Sequence, residues 1–258
     1  MSKRDDIDKL YKKSNMIGSA AIYFYIVHVL ISVMIIFSSG NIQKFWSILL
    51  IITDGLFMIL DLWDTGILRY RAESERRKDA IQNAFSCHLT EMKTEGYYNN
   101  RLRPSFEKYA MNIFESNFFS KFISGKMIGM SLIKSLIAIF LLFVCGIYVI
   151  DANIYTIIVQ TAFSTFIVGD TISLLLYYIR MKQLYDEAYL QFITIGLKED
   201  SQKVWLMSYI MEYEMIKAHY KVQLNSKIFH KYNDSLSKQW TEIEENAVKK
   251  IQLKNHIL

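Results

Sequence analysis

The sequence has little that interrupts helices and little that builds a catalytic or metal site. One proline (Pro104) and ten glycines occur in 258 residues, which favours long helices over sheets that need frequent turns. The two cysteines, Cys87 and Cys145, provide neither a disulfide framework nor the ligand spacing of a zinc site. No P-loop, GxSxG or HExxH motif is present, so we expect no enzyme, no cofactor and no metal centre.

Four long apolar stretches dominate the chain, at residues 15–38, 45–63, 127–150 and 154–179. Each is long enough to cross a hydrocarbon layer of ~30 Å at 1.5 Å per helical residue. The connections within each pair are only a few residues long, so the paired helices must run antiparallel. The predicted fold class is an all-α membrane protein with four transmembrane helices as two antiparallel hairpins, and helices that extend into a cytoplasmic helical layer.

Positive charge is confined to three parts of the chain. Residues 1–14, 69–126 and 180–258 hold all but two of the 30 Lys and Arg residues. By the positive-inside rule, these parts face the cytoplasm, with both termini on that side of the membrane. The predicted regions are a cytoplasmic N-terminal segment 1–14, hairpin 1 at 15–68, a cytoplasmic segment 69–126, hairpin 2 at 127–179 and cytoplasmic C-terminal helices 180–258.

Charged residues lie inside the predicted hairpins, where an unpaired charge costs at least ~2.5 kcal/mol. They are Asp54, Asp61, Asp64, Lys134 and Asp170. Asp61, Lys134 and Asp170 lie eight to ten residues from the basic residue at the cytoplasmic end of their span. All three are therefore expected roughly 12–15 Å inside the membrane from that end. One interpretation is a buried ion pair of Lys134 with Asp61 or Asp170; the other is a polar layer that lines a hydrated pore. The seven-residue spacing of Asp54 and Asp61 puts both on one helix face, with Asp64 extending the stripe, and an acidic stripe favours cations.

Basic, aromatic and amide residues cluster after the second span. Arginine binds phosphates, tyrosine stacks on bases and asparagine reads base edges. The candidate ligand-binding residues are Arg69, Arg71, Arg76, Arg77, Tyr97, Tyr98, Asn99, Asn100, Arg101, Arg103, Arg180 and Lys182. Ordinary juxtamembrane charge beside a turn, or contact with anionic lipid, is the alternative interpretation.

Several short motifs accompany this architecture. They are AIQNAF at 80–85, GYYNN at 96–100, NIFESNFFS at 112–120, Ile-Phe at 228–229 and LSKQW at 236–240. With the paired spans, they resemble the SMODS-associated four-span pore-forming effectors that accompany nucleotidyltransferases in bacterial anti-phage defence. Ser86 stands where those proteins often have aspartate after the phenylalanine. The resemblance implies a nucleotide or short oligonucleotide ligand made by a partner nucleotidyltransferase, and a channel that depolarises the infected cell.

The leading hypothesis is therefore a ligand-regulated, homo-oligomeric channel in the lipid bilayer, expected as a tetramer. Residues 6–13 are a candidate plug or gate at its cytoplasmic mouth. A small secondary transporter and a non-conducting scaffold that recruits a soluble partner are the rival hypotheses. Midplane charge and a weak likeness between the two halves favour the transporter, but no span is broken by Gly or Pro as discontinuous transporter helices are.

Overall fold

Helices account for nearly all of the structure. The computed structural model describes residues 5–94, 98, 100–148, 168–195 and 199–255, of which 88% are helical. This confirms the predicted all-α class for the described part of the chain. The α-helices are α1 (Asp6–Ile36), α2 (Gly40–Trp63), α3 (Tyr70–Phe85), α4 (Phe106–Tyr148), α5 (Val168–Tyr189), α6 (Glu199–Tyr220) and α7 (Ser226–Asn255). Two π-helical turns, Asp64–Arg69 and Leu190–Ile195, join α2 to α3 and extend α5.

The described residues divide into two compact units. Unit 1 takes the described parts of Met1–Asp79, Leu89–Gly96 and Phe140–Ser164. Unit 2 takes those of Ala80–His88, Tyr97–Ile139 and Thr165–Leu258. Each unit is treated below on its own contacts.

In unit 1, α1 and α2 form an antiparallel hairpin. The Asp5 side chain caps α1 by accepting a hydrogen bond from the Asp8 backbone N–H at 2.8 Å. The turn between the helices needs a left-handed residue, and Gly40 supplies it with a φ of +60°. Across the hairpin, the Tyr25 and Phe57 ring centroids lie 5.7 Å apart.

Two helices in the described part of the chain are long and apolar enough to cross a membrane. They are Asp6–Ile35 and the continuous run Gly40–Phe85. In the most apolar 18 residues of each helix, only 17% and 6% respectively are buried within the structure. Ile51, for example, is 72% exposed. Uncovering a large aliphatic side chain in water costs about 1.5–3 kcal/mol, so these surfaces indicate association with a membrane. Much of the second predicted hairpin, residues 149–167, lies outside the described residues.

The helices are longer and less interrupted than the sequence predicts. The second apolar helix runs on past the predicted end of hairpin 1 at residue 68, but it ends at Phe85 and not near residue 93, where we expected it to end. The predicted boundary between the cytoplasmic segment 69–126 and hairpin 2 at 127 does not interrupt the backbone, because one 43-residue helix, α4, crosses it. Pro104 precedes this helix instead of breaking it, and isolated glycines inside a helix weaken it without ending it.

In unit 2, α4 and α5 run antiparallel in close contact. A Cβ added at Gly125 of α4 would lie 2.9 Å from Tyr178 Cε2 of α5, so only glycine fits there without movement. Further along, the Thr171 hydroxyl lies 2.6 Å from Ser131 Oγ and 2.7 Å from Ser135 Oγ. Small residues that let helices approach, and hydroxyls that bond across the contact, are typical of membrane helix pairs. These contacts set the register of the antiparallel pair. Residue 125 of α4 lies opposite residue 178 of α5, and residues 131–135 of α4 lie opposite residue 171.

The core of unit 2 is a cluster of aromatic rings. The Phe114 ring, fully buried, has the centroids of Tyr185, Phe192 and Trp240 at 5.3, 5.4 and 5.2 Å. These rings come from α4, α5 with its π-turn, and α7, so Phe114 joins three helices. Trp205 and Tyr209 of α6 stack beside them with centroids 5.4 Å apart.

Gly125→Ala should reduce stability, whereas Gly129→Ala should not. The new methyl group at 125 meets the Tyr178 ring, while a Cβ at 129 meets nothing within 4 Å. We expect Gly125→Ala to be less stable than Gly129→Ala by about 1–2 kcal/mol, because overpacking outweighs the gain in helix propensity. Thermal unfolding of the two detergent-solubilised variants measures the difference; equal stabilities would contradict the close approach.

Candidate functional site

The three predicted acidic residues of the second span differ in exposure. Asp54 is exposed on α2, Asp61 is partly buried, and Asp64, the first residue of the π-turn, is 3% exposed. The predicted acidic stripe thus begins on an open helix surface and ends inside unit 1. Whether these residues line a pore stays a prediction.

Asp64 is held by polar partners from two directions. The Ser14 hydroxyl of α1 donates to its Oδ1, and Arg69 Nη2 lies 3.1 Å from its Oδ2. A Cβ at Gly18 would lie 3.0 Å from the same Oδ2, so α1 passes very close to the carboxylate. Both charged side chains are largely buried, with Asp64 at 4% and Arg69 at 17% exposure. This group, Ser14, Asp64 and Arg69, fastens α1 to the π-turn; sequence analysis missed the part played by Ser14.

In unit 2, Lys134 and Asp170 occupy the same level of the α4–α5 pair. The register set by Thr171 with Ser131 and Ser135 places residues 134 and 170 opposite each other along the helix axes. Both side chains are exposed. Whether Lys134 and Asp170 belong to a layer of ionisable residues inside a membrane stays a prediction.

Several predicted ligand-binding residues are engaged within the fold. Tyr97 and Asn99 lie outside the described residues. Asn100 is buried, and its amide donates to Asn112 Oδ1 at 2.6 Å. The Asn112 amide donates to Asn83 Oδ1 at 3.1 Å, and the hydroxyls of buried Tyr98 and Ser116 lie 3.3 Å apart. This amide network joins the loop at 98–102 to α3 and α4.

The predicted basic residues fall into two groups. Arg69 pairs with Asp64, and buried Arg76 donates through Nε to Glu73 at 2.8 Å. The others present their side chains at the surface. The exposed ones are Arg71 and Arg77 in unit 1, and Arg101, Arg103, Arg180 and Lys182 in unit 2.

The candidate gating segment 6–13 belongs to α1 and is held in place at its start. The Asp6 backbone N–H donates to the Lys93 carbonyl at 3.2 Å, and Ile7 is buried. The same loop is fastened to α3, because the Thr90 and Thr94 hydroxyls donate to Glu75 and Asp79. Residues 90–94 therefore connect the start of α1 with α3 inside unit 1. A gating role for residues 6–13 stays a prediction.

The pKa values of Glu75 and Asp79 are shifted in opposite directions. Hydrogen bonds from Lys78 and Thr90 lower the pKa of Glu75. Burial raises the pKa of Asp79, and nearby Asp5 raises it further, although the Thr94 hydrogen bond opposes the change.

A pair of partly buried carboxylates in unit 2, Glu115 and Glu244, was not predicted. Burial raises the pKa of Glu115 on α4 from 4.5 to about 8, and the charge of Glu244 on α7 adds to the rise. Burial also raises the pKa of Glu244, against the opposing effect of Arg101. Glu115 stands directly after Phe114 in an apolar segment, which is the one sequence signal of its burial.

No family model, curated protein or solved structure matches the chain. Three of the motifs behind the sequence resemblance meet in the amide network of unit 2. Asn83 lies in the first motif, Asn100 in the second and Asn112 in the third, and hydrogen bonds link all three. Part of what these motifs encode is thus the packing of the 98–102 loop between two helices.

Arg69→Gln should destabilise unit 1, because it leaves the Asp64 carboxylate buried without its ion-pair partner. We expect a loss of about 3 kcal/mol, and a smaller loss when Asp64→Asn is added. Arg71→Gln removes the same charge from the exposed surface two residues away and is the matched control. Thermal unfolding of the three variants provides the comparison; an Arg69→Gln protein as stable as Arg71→Gln would contradict the buried pair.

Glu115→Gln should make the protein more stable at high pH. A carboxyl whose pKa is raised on folding favours the fold below its unfolded value, 4.5, and this contribution is lost as the pH rises towards about 8. The neutral amide escapes that loss, so we expect Glu115→Gln to exceed wild type by on the order of 2–3 kcal/mol near pH 9 and to equal it near pH 5.

Unfolding midpoints measured from pH 5 to 9 check this expectation. Glu242→Gln changes an exposed glutamate on the same helix as Glu244 and should follow wild type at every pH. Parallel curves for wild type and Glu115→Gln would show that Glu115 is ionised in the folded protein.

Proposed function

We propose that the chain is a subunit of a homo-oligomeric ion channel in the bacterial inner membrane. It would cross the bilayer four times, with both termini in the cytoplasm, and act as an anti-phage effector of the SMODS-associated four-span kind. Opening would depolarise the membrane. The all-helical fold and the uncovered apolar helices support the membrane part of this proposal.

The observation that carries the proposal is the exposure of Asp54. Its side chain stands on the open surface of α2, on a helix whose apolar residues are also uncovered. If this surface faced only lipid, the carboxylate would sit in hydrocarbon at a cost of at least ~2.5 kcal/mol. Several subunits around a hydrated space remove that cost, because water and counter-ions then reach the carboxylate. Exposed Asp170 and Lys134 in unit 2 support the same interpretation.

A homo-oligomer is further supported by an apolar stripe on α6. Val204, Met207, Met211 and Met215 recur at helical spacing and are 73%, 48%, 62% and 62% exposed. The opposite face of α6 is buried in the core of unit 2, through Leu206, Tyr209 and Tyr213. Methionine side chains adapt to irregular surfaces, so a second copy of the chain is the partner we propose for this stripe. A tetramer is the stoichiometry we expect.

The ligand of the proposed channel is an anionic nucleotide or short oligonucleotide made by a partner nucleotidyltransferase. The support is the set of exposed basic side chains, because guanidinium forks bind phosphate oxygens in pairs. Arg101 and Arg103 are exposed on unit 2 directly after Asn100, and the buried hydrogen bond of Asn100 with Asn112 holds the backbone next to them in place. The side chains of Arg69 and Arg76 in unit 1, and of Asn100 in unit 2, already have partners within their own unit, so we propose that they support ligand binding by stabilising the fold of that unit.

Recording from the purified protein in a planar bilayer of phosphatidylcholine tests the proposal. We expect discrete conductance steps that favour cations over anions, and a change in open probability when short oligonucleotides are added on one side. Asp54→Asn should lower cation selectivity several-fold, because an acidic residue at a pore wall attracts cations. Asp234→Asn removes an exposed carboxylate from α7 and should leave conductance unchanged.

The rival functions give different results in the same membranes. Saturable flux coupled to a second solute, without conductance steps, would identify a transporter. A scaffold would give no current with any oligonucleotide, and Asp54→Asn would then change nothing. Either result would overturn the channel proposal.

A further inference from the structure

Lysine ammonium groups and aromatic rings alternate where α4 approaches its long apolar part. Four lysines and three rings of unit 2 form this basic–aromatic belt: Lys121, Lys126, Lys182, Lys231, Phe122, Tyr185 and Tyr232. They come from α4, α5 and α7. Of the seven, only Lys182 was a predicted ligand-binding residue.

Three of the four lysines of the belt lie over aromatic rings. Lys121 Nζ lies 3.3 Å from the Tyr185 ring centroid, and the side chain is half-buried. Lys126 Nζ lies 5.4 Å from the Phe122 centroid and 5.7 Å from that of Tyr232. Lys231 Nζ lies 5.4 Å from the same Tyr232 centroid, so two ammonium groups share one ring. Cation–π contacts of this kind hold a lysine in place while its charge remains available to an anion.

Charged side chains at the belt lie close enough to influence one another. Burial lowers the pKa of Lys121; Asp186 opposes this effect, and the neighbouring charge of Lys182 adds to it. Like charges held together in a partly buried setting repel, and a bound anion relieves that repulsion. The belt therefore favours a negatively charged ligand.

The position of the belt identifies the source of that anion. Lys126 directly precedes the apolar part of α4, where Met130, Ile133 and Leu136 are 62%, 54% and 64% exposed. On α5, the contact of Gly125 with Tyr178 brings Arg180 and Lys182 to the level of residues 121–123 of α4. The basic–aromatic belt thus lies beside an exposed apolar surface. This arrangement is typical of the headgroup level of a bilayer, where tyrosine and lysine are enriched.

We propose that the basic–aromatic belt binds the phosphate groups of anionic phospholipids at the membrane surface. This inference rests on the membrane placement of α4 in the proposed function, but not on ion conduction. Each lysine near an anionic surface strengthens binding to it about fivefold, so the belt would hold α4, α5 and α7 at one level of the membrane. Phosphatidylglycerol supplies the required chemistry: a phosphate with a net negative charge at the end of acyl chains that cover the adjoining apolar surface.

Thermal unfolding of the full-length protein in lipid nanodiscs tests this site. We expect a higher unfolding midpoint with phosphatidylglycerol present than in phosphatidylcholine alone, by about 2–4 °C. The combined variant Lys121→Gln, Lys126→Gln, Lys231→Gln should lose that difference. The matched control Lys203→Gln, Lys238→Gln, Lys249→Gln removes three exposed lysines of unit 2 outside the belt and should keep it.

A double variant tests the site without changing half-buried Lys121, whose replacement could disturb folding. Lys126 and Lys231 lie at the surface, so Lys126→Gln with Lys231→Gln should fold in phosphatidylcholine and still lose most of the lipid-dependent difference. A charge-conserving variant with arginine at 121, 126 and 231 should retain the effect of phosphatidylglycerol.

Three results would overturn the proposal. Wild type with the same midpoint in both lipids would mean that no anionic lipid binds. Loss of the difference in the control variant would mean that only net charge matters. An equal rise caused by soluble inorganic pyrophosphate in phosphatidylcholine nanodiscs would assign the site to a free phosphate ligand. Because channel recording uses phosphatidylcholine alone, failure of the lipid site and failure of the channel proposal are distinguishable.

Discussion

This structure depends on one constraint: its two most apolar helices, Asp6–Ile35 and Gly40–Phe85, leave most of their apolar side chains exposed. Only 6% of the most apolar window of Gly40–Phe85 is buried within the chain. In a hydrocarbon environment every backbone N–H and C=O group must be satisfied inside the segment itself, and an unbroken helix achieves this. Polar side chains between α4 and α5 also bond to one another, as Thr171 does with Ser131 and Ser135, and such hydroxyl contacts suit the membrane placement that we propose for these helices.

Unit 2 combines this apolar surface with a core of the kind found in water-soluble helical proteins. At one end of α4, Phe114 joins rings from two further helices; beyond Lys126, the same helix leaves Met130 and Leu136 uncovered. One continuous helix therefore changes its surroundings along its length without changing its backbone. The lysines of the basic–aromatic belt stand at that change.

The sequence predicted those features of the fold that depend on residues close together in the chain. The scarcity of Pro and Gly predicted the long helices, and Gly40 marked the turn between α1 and α2. Features that depend on distant partners were not predicted. The Ser14–Asp64 bond joins residues 50 positions apart, and the Asn100–Asn112 bond depends on how a loop folds over α4. The Glu115–Glu244 pair likewise depends on the packing of α7 against α4, which no spacing rule reveals.

The π-helical turn at Asp64–Arg69 has a consequence for how this chain varies in length. A π-turn holds more residues than the α-helical turn it replaces, so it acts as a single-residue insertion absorbed without a loop. Deleting one residue there would restore an ordinary α-helical turn, and the residues that follow in unit 1 would keep their rotational phase relative to α2. If the turn instead relaxed to α-helical winding without a deletion, those residues would rotate by about 100°. Buried Ala72 would then turn away from its packing site within unit 1. The π-helical turn therefore keeps Ala72 in its packing position despite the extra residue.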